Sequence, residues 1–330
     1  MMSVRGRHLV AYAASMFSLI LLQLLTTIPA VRDLSDFHLD VAYSLVSQIF
    51  CMGVVPLVVL LVLRRNVSSP SETFRFMRYR APANKKATLL ATLGIALLIM
   101  PFTMAFNTAS NLLLSVIGYK RSLTVGTIYG GVGDFFLFLF LTAVLPALFE
   151  EFTHRGVLLS GLTDRGSELS AVILSSVLFG LMHENPNQMI FATFGGMVFA
   201  LAVLKTGTIL PAVVAHFMNN AISVFLDYTT QKQTPFGVWY DSLTSSVSAL
   251  SVLLTVVVMV AAVYGIVRIL QYLSRKTEKP VSERKLFGLI TVDGYSPNGK
   301  ATLSDNICLY AVMISESLVL LVFLIWGIAR

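Results

Sequence analysis

Nine stretches of this 330-residue chain stay apolar over about the length needed to cross a bilayer, and that pattern leaves few folds open. A hydrocarbon core of roughly 30 Å is spanned by a helix of about 17 to 25 residues. Inside it every backbone N–H and C=O must be bonded within the protein, which restricts spanning segments to helices or closed barrels. The stretches run approximately 9–30, 41–63, 87–106, 133–162, 168–184, 188–205, 208–228, 246–273 and 307–329. With 56% hydrophobic and only 12% charged residues, the chain could not cover the surface of a soluble protein of this size. The expected fold is therefore all-α, a polytopic transmembrane helical bundle of about nine membrane spans.

The net charge of +7 invites a nucleic-acid reading, but its distribution argues for membrane orientation instead. Arg64, Arg65, Arg75, Arg78, Arg80, Lys85 and Lys86 crowd the loop after the second span. Arg275, Lys276, Lys279, Arg284 and Lys285 follow the eighth. If nine spans alternate, both loops face one side, which by the positive-inside rule is the cytoplasm. The N-terminus, with Arg5 and Arg7, is then cytoplasmic and Arg330 lies outside. Residues 66–86 are expected to rest on anionic membrane lipid, each Lys or Arg adding about 1 kcal/mol. Residues 107–125 look too broken to span and are expected along the outer interface, and 274–306 read as a turn-rich segment. The first span follows Arg5, Arg7 and His8 and reads as a retained signal anchor. Cys51 and Cys308 form no CxxC pair, so a disulfide framework is not expected.

Within the fourth stretch, LFLFLTAVLPALFEEFTHRGVLLSGL, two adjacent glutamates interrupt the apolar run. An ionisable group near a bilayer centre costs roughly 2.5 to 3.5 kcal/mol, so such residues must be paired or in use. Glu150 and Glu151 point about 100° apart around a helix, so Glu151 can pair with Arg155 one turn on while Glu150 faces elsewhere. Later spans add His183, and His216 with Asn219 and Asn220. At about 1.5 Å per residue, His216 lies about 12 Å, Glu150 about 18 Å and His183 roughly 22 Å from the cytoplasmic ends of their spans. These depths are compatible with one layer near the midplane. Taken singly, each histidine also suits a helix-to-helix hydrogen bond, and Glu151 with Arg155 a structural ion pair.

The set EExxxR at Glu150 to Arg155, FxxxH at Phe179 to His183 and HxxxN at His216 to Asn220, on three separate helices in this order, resembles the CPBP family of membrane proteins. That family comprises CAAX prenyl endopeptidases of the Ras-converting type and bacteriocin-processing or self-immunity proteins. The resemblance covers about residues 133–228. It divides the chain into N-terminal helices with a basic cytoplasmic loop and an interfacial segment (1–132), catalytic core helices (133–228) and C-terminal helices with a second basic loop (229–330). His154 departs from the pattern, which is commonly aromatic before the arginine.

The resemblance implies an intramembrane endopeptidase whose peptide or protein substrate enters from the cytoplasm or the inner leaflet. It implies Glu150 activating water together with His183, and His216 and Asn220 steadying the tetrahedral intermediate. Glu151, Arg155 and Phe179 support them. A competing description makes Glu150, His183 and His216 ligands of zinc or another divalent metal with water in the fourth place. His183-Glu184-Asn185-Pro186-Asn187 is not HExxH, and Pro186 tends to end the helix there.

Strings of a diaspartyl protease also occur, in Gly131-Val132-Gly133-Asp134, Tyr240-Asp241 and Pro146-Ala147-Leu148, but in the wrong order and in the wrong segments. Ser160-Gly161 lacks the spacing of a rhomboid-type serine site, and Gly195-Gly196 reads as close helix packing. The non-enzymatic alternatives are a scaffold, an immunity or secretion regulator, or an ion-coupled carrier on the same fold.

Overall fold

The architecture comes from a computed structural model that describes residues 2–26, 28, 36–63, 69–82, 84–119, 129–244, 249–276, 283–286, 290–293 and 300–329. Arg64, Arg65, Lys279 and Arg330, which carried part of the orientation argument, lie outside the described residues. Helix α1 is Val4–Thr26. Helix α2 runs without a break from Asp36–Leu45 through Val46–Val54 to Val55–Leu63. After it come α3 (Pro70–Phe76), α4 (Lys85–Val116), α5 (Val132–Asp164), α6 (Glu168–Leu181), α7 (Pro186–Thr206), α8 (Leu210–Gln231), α9 (Pro235–Thr244), α10 (Ala249–Ser274) and α11 (Leu303–Ala329).

All nine apolar stretches fall on helices, and the chain is a multi-pass membrane protein. By length and composition seven helices can cross a bilayer: α1, α2, α4, α5, α7, α10 and α11. The other two are α6, a shorter apolar helix, and α8, whose His, Asn and Asp residues dilute its apolar character.

Two segments differ from expectation. Residues 107–116 do not leave the third span, because α4 continues as one helix of 32 residues to Val116. Their polar side chains are satisfied within the helix, Thr108 Oγ1 donating to Met104 O and Ser110 Oγ to Phe106 O. The last part of that segment, 120–128, lies outside the described residues. In the basic segment 274–306, Glu283–Leu286 (β1) pairs antiparallel with Ile290–Asp293 (β2), and Ile290 is buried. The bundle thus carries one small hairpin beside its helices.

Local sequence shapes the helices that carry the interior polar residues. Asn185 opens α7 by accepting the Asn187 and Gln188 N–H groups, with Pro186 in the first helical position where its missing N–H costs nothing. The corner between α6 and α7 is consequently only a few residues long, and His183 sits in it just past the end of α6. Pro56 and Pro146 each follow a π-helical stretch, Val46–Val54 and Phe140–Val144. A proline lacks the N–H that would return, in α-helical register, to Met52 and Thr142. Those two carbonyls are met from the side, Met52 O by the Thr153 hydroxyl and Thr142 O by Asn220 Nδ2 at 2.9 Å. Local π geometry and neighbouring side chains are how membrane helices tolerate proline.

Helix α5 occupies the middle of the bundle, with residues 150–162 all buried. It is walled by α1, whose Leu9, Tyr12 and Met16 are fully buried, and by α2, α6 and α8. Phe152–Leu158, a third π-helical stretch, puts Arg155 wholly inside the protein.

Candidate active site

Burying Arg155 demands partners for its guanidinium, and the interior supplies them. Nη1 donates to Glu151 Oε1 at 3.0 Å and Nη2 to Gly196 O at 3.2 Å. The guanidinium also lies 4.2 Å above the Phe179 ring and 5.3 Å from that of Phe199. Gly196 leaves room for this approach, since a Cβ there would meet Arg155 Nη2 at 3.2 Å and Phe179 Cδ1 at 3.3 Å. Glu151, fully buried, uses the same Oε1 for a second bond, to His216 Nδ1 at 2.8 Å. A carboxylate only accepts, so Nδ1 of His216 carries a proton and the ring is fixed in orientation.

Held that way, His216 turns its other nitrogen toward the neighbouring acid, with Nε2 at 3.9 Å from Glu150 Oε2. Glu150 accepts a hydrogen bond from Gln48 Nε2 at 2.8 Å through its other oxygen. His183 Nδ1 donates to Phe179 O at 2.7 Å, because a carbonyl oxygen only accepts; that leaves Nε2 of the neutral ring with a lone pair. Phe179 packs edge-on against His154, His183 and His216 at centroid distances of 5.1, 5.1 and 5.8 Å, so one ring spaces three imidazoles.

Asn220 and Asn219 complete the opposite wall. Asn220 Nδ2 is tied to the Thr142 carbonyl, and its Oδ1 accepts from Asn219 Nδ2 at 3.1 Å. Thr103 Oγ1 in turn donates to Asn219 Oδ1 at 2.6 Å. The primary amide of Asn220 keeps one N–H beyond those bonds. Glu150, His183, His216 and Asn220 all line a single cavity of about 270 Å³, with Gln48 and Phe179 among its walls.

Glu151 pairs with Arg155, and in addition orients His216, a contact between helices that no spacing reveals. His154 does not face the Glu150 carboxylate; its Nδ1 bonds the Glu150 carbonyl at 3.1 Å and its Nε2 lies 3.4 Å from the Tyr12 hydroxyl. Asp134 accepts from Gly130 N at 2.6 Å, Tyr240-Asp241 sits on α9, and none of the three lines the cavity. Among the described residues, no three His, Cys, Asp or Glu side chains are grouped so as to hold a metal ion.

Gln48 and Thr103 join the site with no motif to mark them, beside Asn219, which the sequence places next to Asn220. Their one signal is a polar side chain inside an apolar span.

Residues 132–222 match the family model described as "Type II CAAX prenyl endopeptidase Rce1-like". This segment is Rce1-like. It contains α5, α6 and α7 and most of α8, and with them every site residue proposed from the sequence. The chain is also 25% identical over 195 residues to a Bacillus subtilis (strain 168) protein named "Putative membrane peptidase YdiL", covering 59% of this chain and 75% of that one. No solved structure matches significantly. The Rce1-like match, with the likeness to that Bacillus protein, supports a membrane protease of the CPBP family.

Proposed function

We propose that the protein is an intramembrane endopeptidase that hydrolyses a peptide bond in a membrane-associated protein or peptide, a prenylated CAAX-type substrate included. The observation that carries this reading is the convergence of one carboxylate, two imidazoles and an amide on a single cavity. Glu150 takes a proton from water, assisted by the free Nε2 of His183, and the resulting hydroxide attacks the scissile carbonyl carbon. The developing oxyanion is met by the remaining Asn220 N–H and by Nε2 of His216 when that ring is protonated. Glu151 stabilises the charged ring. The C–N bond then breaks as the proton held by Glu150 passes to the leaving amine, giving a carboxylate and an amine.

Residues 133–228 form the catalytic core on this reading, in a cytoplasmic membrane with the N-terminus on the cytoplasmic side. Substrate enters from the cytoplasm or the inner leaflet. Zinc or another divalent ion on Glu150, His183 and His216 is a separate arm of the test.

The experiment incubates purified wild type, Glu150→Gln and His183→Ala in detergent with a fluorogenic peptide library, with and without a chelator. Cleavage by wild type, abolished in Glu150→Gln, is expected. A Glu150→Gln variant that still cuts removes the proposed base. Loss on chelation restored by zinc brings the metal into the mechanism. A wild type that cuts nothing, while Glu150→Gln alters a secretion or immunity phenotype, favours the scaffold, regulator or carrier.

A further inference from the structure

Gln48 lies in the apolar run VAYSLVSQIFCMGVV, where an amide must find its hydrogen-bond partners inside the protein. The π-helical stretch Val46–Val54 presents Ser47 and Gln48 to the cavity. Nε2 of Gln48 donates to Glu150 Oε1 at 2.8 Å, in the range of a charge-assisted bond. Oε2 of Glu150 lies 3.9 Å from His216 Nε2, too far for a hydrogen bond. Among the described residues, the Gln48 amide is thus the direct hydrogen-bond donor to the Glu150 carboxylate. Its own Oε1 is buried and has no hydrogen-bond partner among the described residues.

We propose that Gln48 is the positioning residue for Glu150. It holds one carboxylate oxygen and leaves the other turned toward the cavity and the water to be activated. An amide suits this task because it fixes the carboxylate without neutralising its charge, as Lys or Arg would. The inference rests on Glu150 acting as the base.

Gln48→Met keeps the length and helical preference of the side chain and removes the donor. With a peptide that wild type cleaves, it is expected to lower kcat about ten- to a hundredfold, with KM within about twofold. Gln48→Glu, which sets a second acceptor against the carboxylate, is expected to lose more. A merely structural role would not produce that kcat-specific loss.

The hydrogen bond is also read without turnover. Unfolding in detergent is followed for Gln48→Met, Glu150→Ala and the double variant. Coupled effects are expected, and additive ones overturn the contact. If Glu150→Gln is inactive while Gln48→Met and Gln48→Glu cleave like wild type, the positioning role is wrong and the base stands. If Glu150→Gln still cleaves, or wild type cleaves nothing, both readings fall.

Discussion

Two glutamates of this bundle, Glu151 on α5 and Glu316 on α11, are at most 1% exposed, and they are treated in opposite ways. Glu151 sits in the Rce1-like core, where one oxygen accepts from both Arg155 and His216. Glu316 sits where α11 packs on α1, and neither of its carboxyl oxygens has a hydrogen-bond partner among the described residues. A buried carboxyl is expensive in either place. In the core that expense is offset by partners that also aim a histidine at the cavity, whereas among the described residues Glu316 has no such hydrogen-bond partner. Burial alone therefore does not mark a working residue; the partners do.

Removing one partner of the core pair should produce the largest effect. Arg155→Met keeps much of the side-chain volume but takes the cationic partner from the buried Glu151 and leaves it the His216 N–H alone, and is expected to cost about 3 to 5 kcal/mol, read as a lowered unfolding temperature in detergent. An unchanged unfolding temperature would put Glu316 and Glu151 on the same footing.

The opposite sign is expected at the periphery. Glu316→Leu removes an unpartnered buried carboxyl and should raise stability by about 1 to 3 kcal/mol in the same assay, without loss of cleavage. A drop in stability would show that the Glu316 carboxyl is held by a stabilising contact after all.

Gly196→Ala tests how tightly the core pair is built. Its Cβ would crowd Arg155, Phe179 and Ser176 Cα at 3.2 to 3.3 Å, and the expected cost is about 1 to 3 kcal/mol with reduced activity. The smallest effect is reserved for His154→Phe. The His154 ring contacts Tyr12, Phe179 and the Glu150 backbone, so an aromatic replacement should change the cleavage rate by less than about threefold, or roughly 0.6 kcal/mol. A large loss would bring His154 into the chemistry.

What could be read from the sequence and what could not divide along a physical line. Spanning helices are legible because each is a local run of apolar residues, and the motif residues are legible because charges in such runs are costly. Glu151 with Arg155 is a contact within one helix, fixed by a four-residue spacing. The bond from Glu151 to His216 joins residues 65 apart, and that from Gln48 to Glu150 joins residues 102 apart. No periodicity encodes either. The same limit explains Thr103, an ordinary polar residue until α4 and α8 pack together and its hydroxyl meets Asn219. The continuation of α4 past residue 106 escaped for a different reason: Thr108 and Ser110 read as span-breaking polarity, but their hydroxyls bond back to their own helix.

The most direct test sets the adjacent acids against each other, with cleavage and unfolding temperature measured on the same purified samples of Glu150→Gln and Glu151→Gln. Glu150→Gln should unfold close to the wild-type temperature and cleave nothing, because its carboxylate is needed for water rather than for packing. Glu151→Gln should unfold at a markedly lower temperature, because it strips the charged partner from Arg155 and His216. If Glu150→Gln cleaves at the wild-type rate, or if the two variants fail in the same way, the division of labour between these two glutamates is wrong.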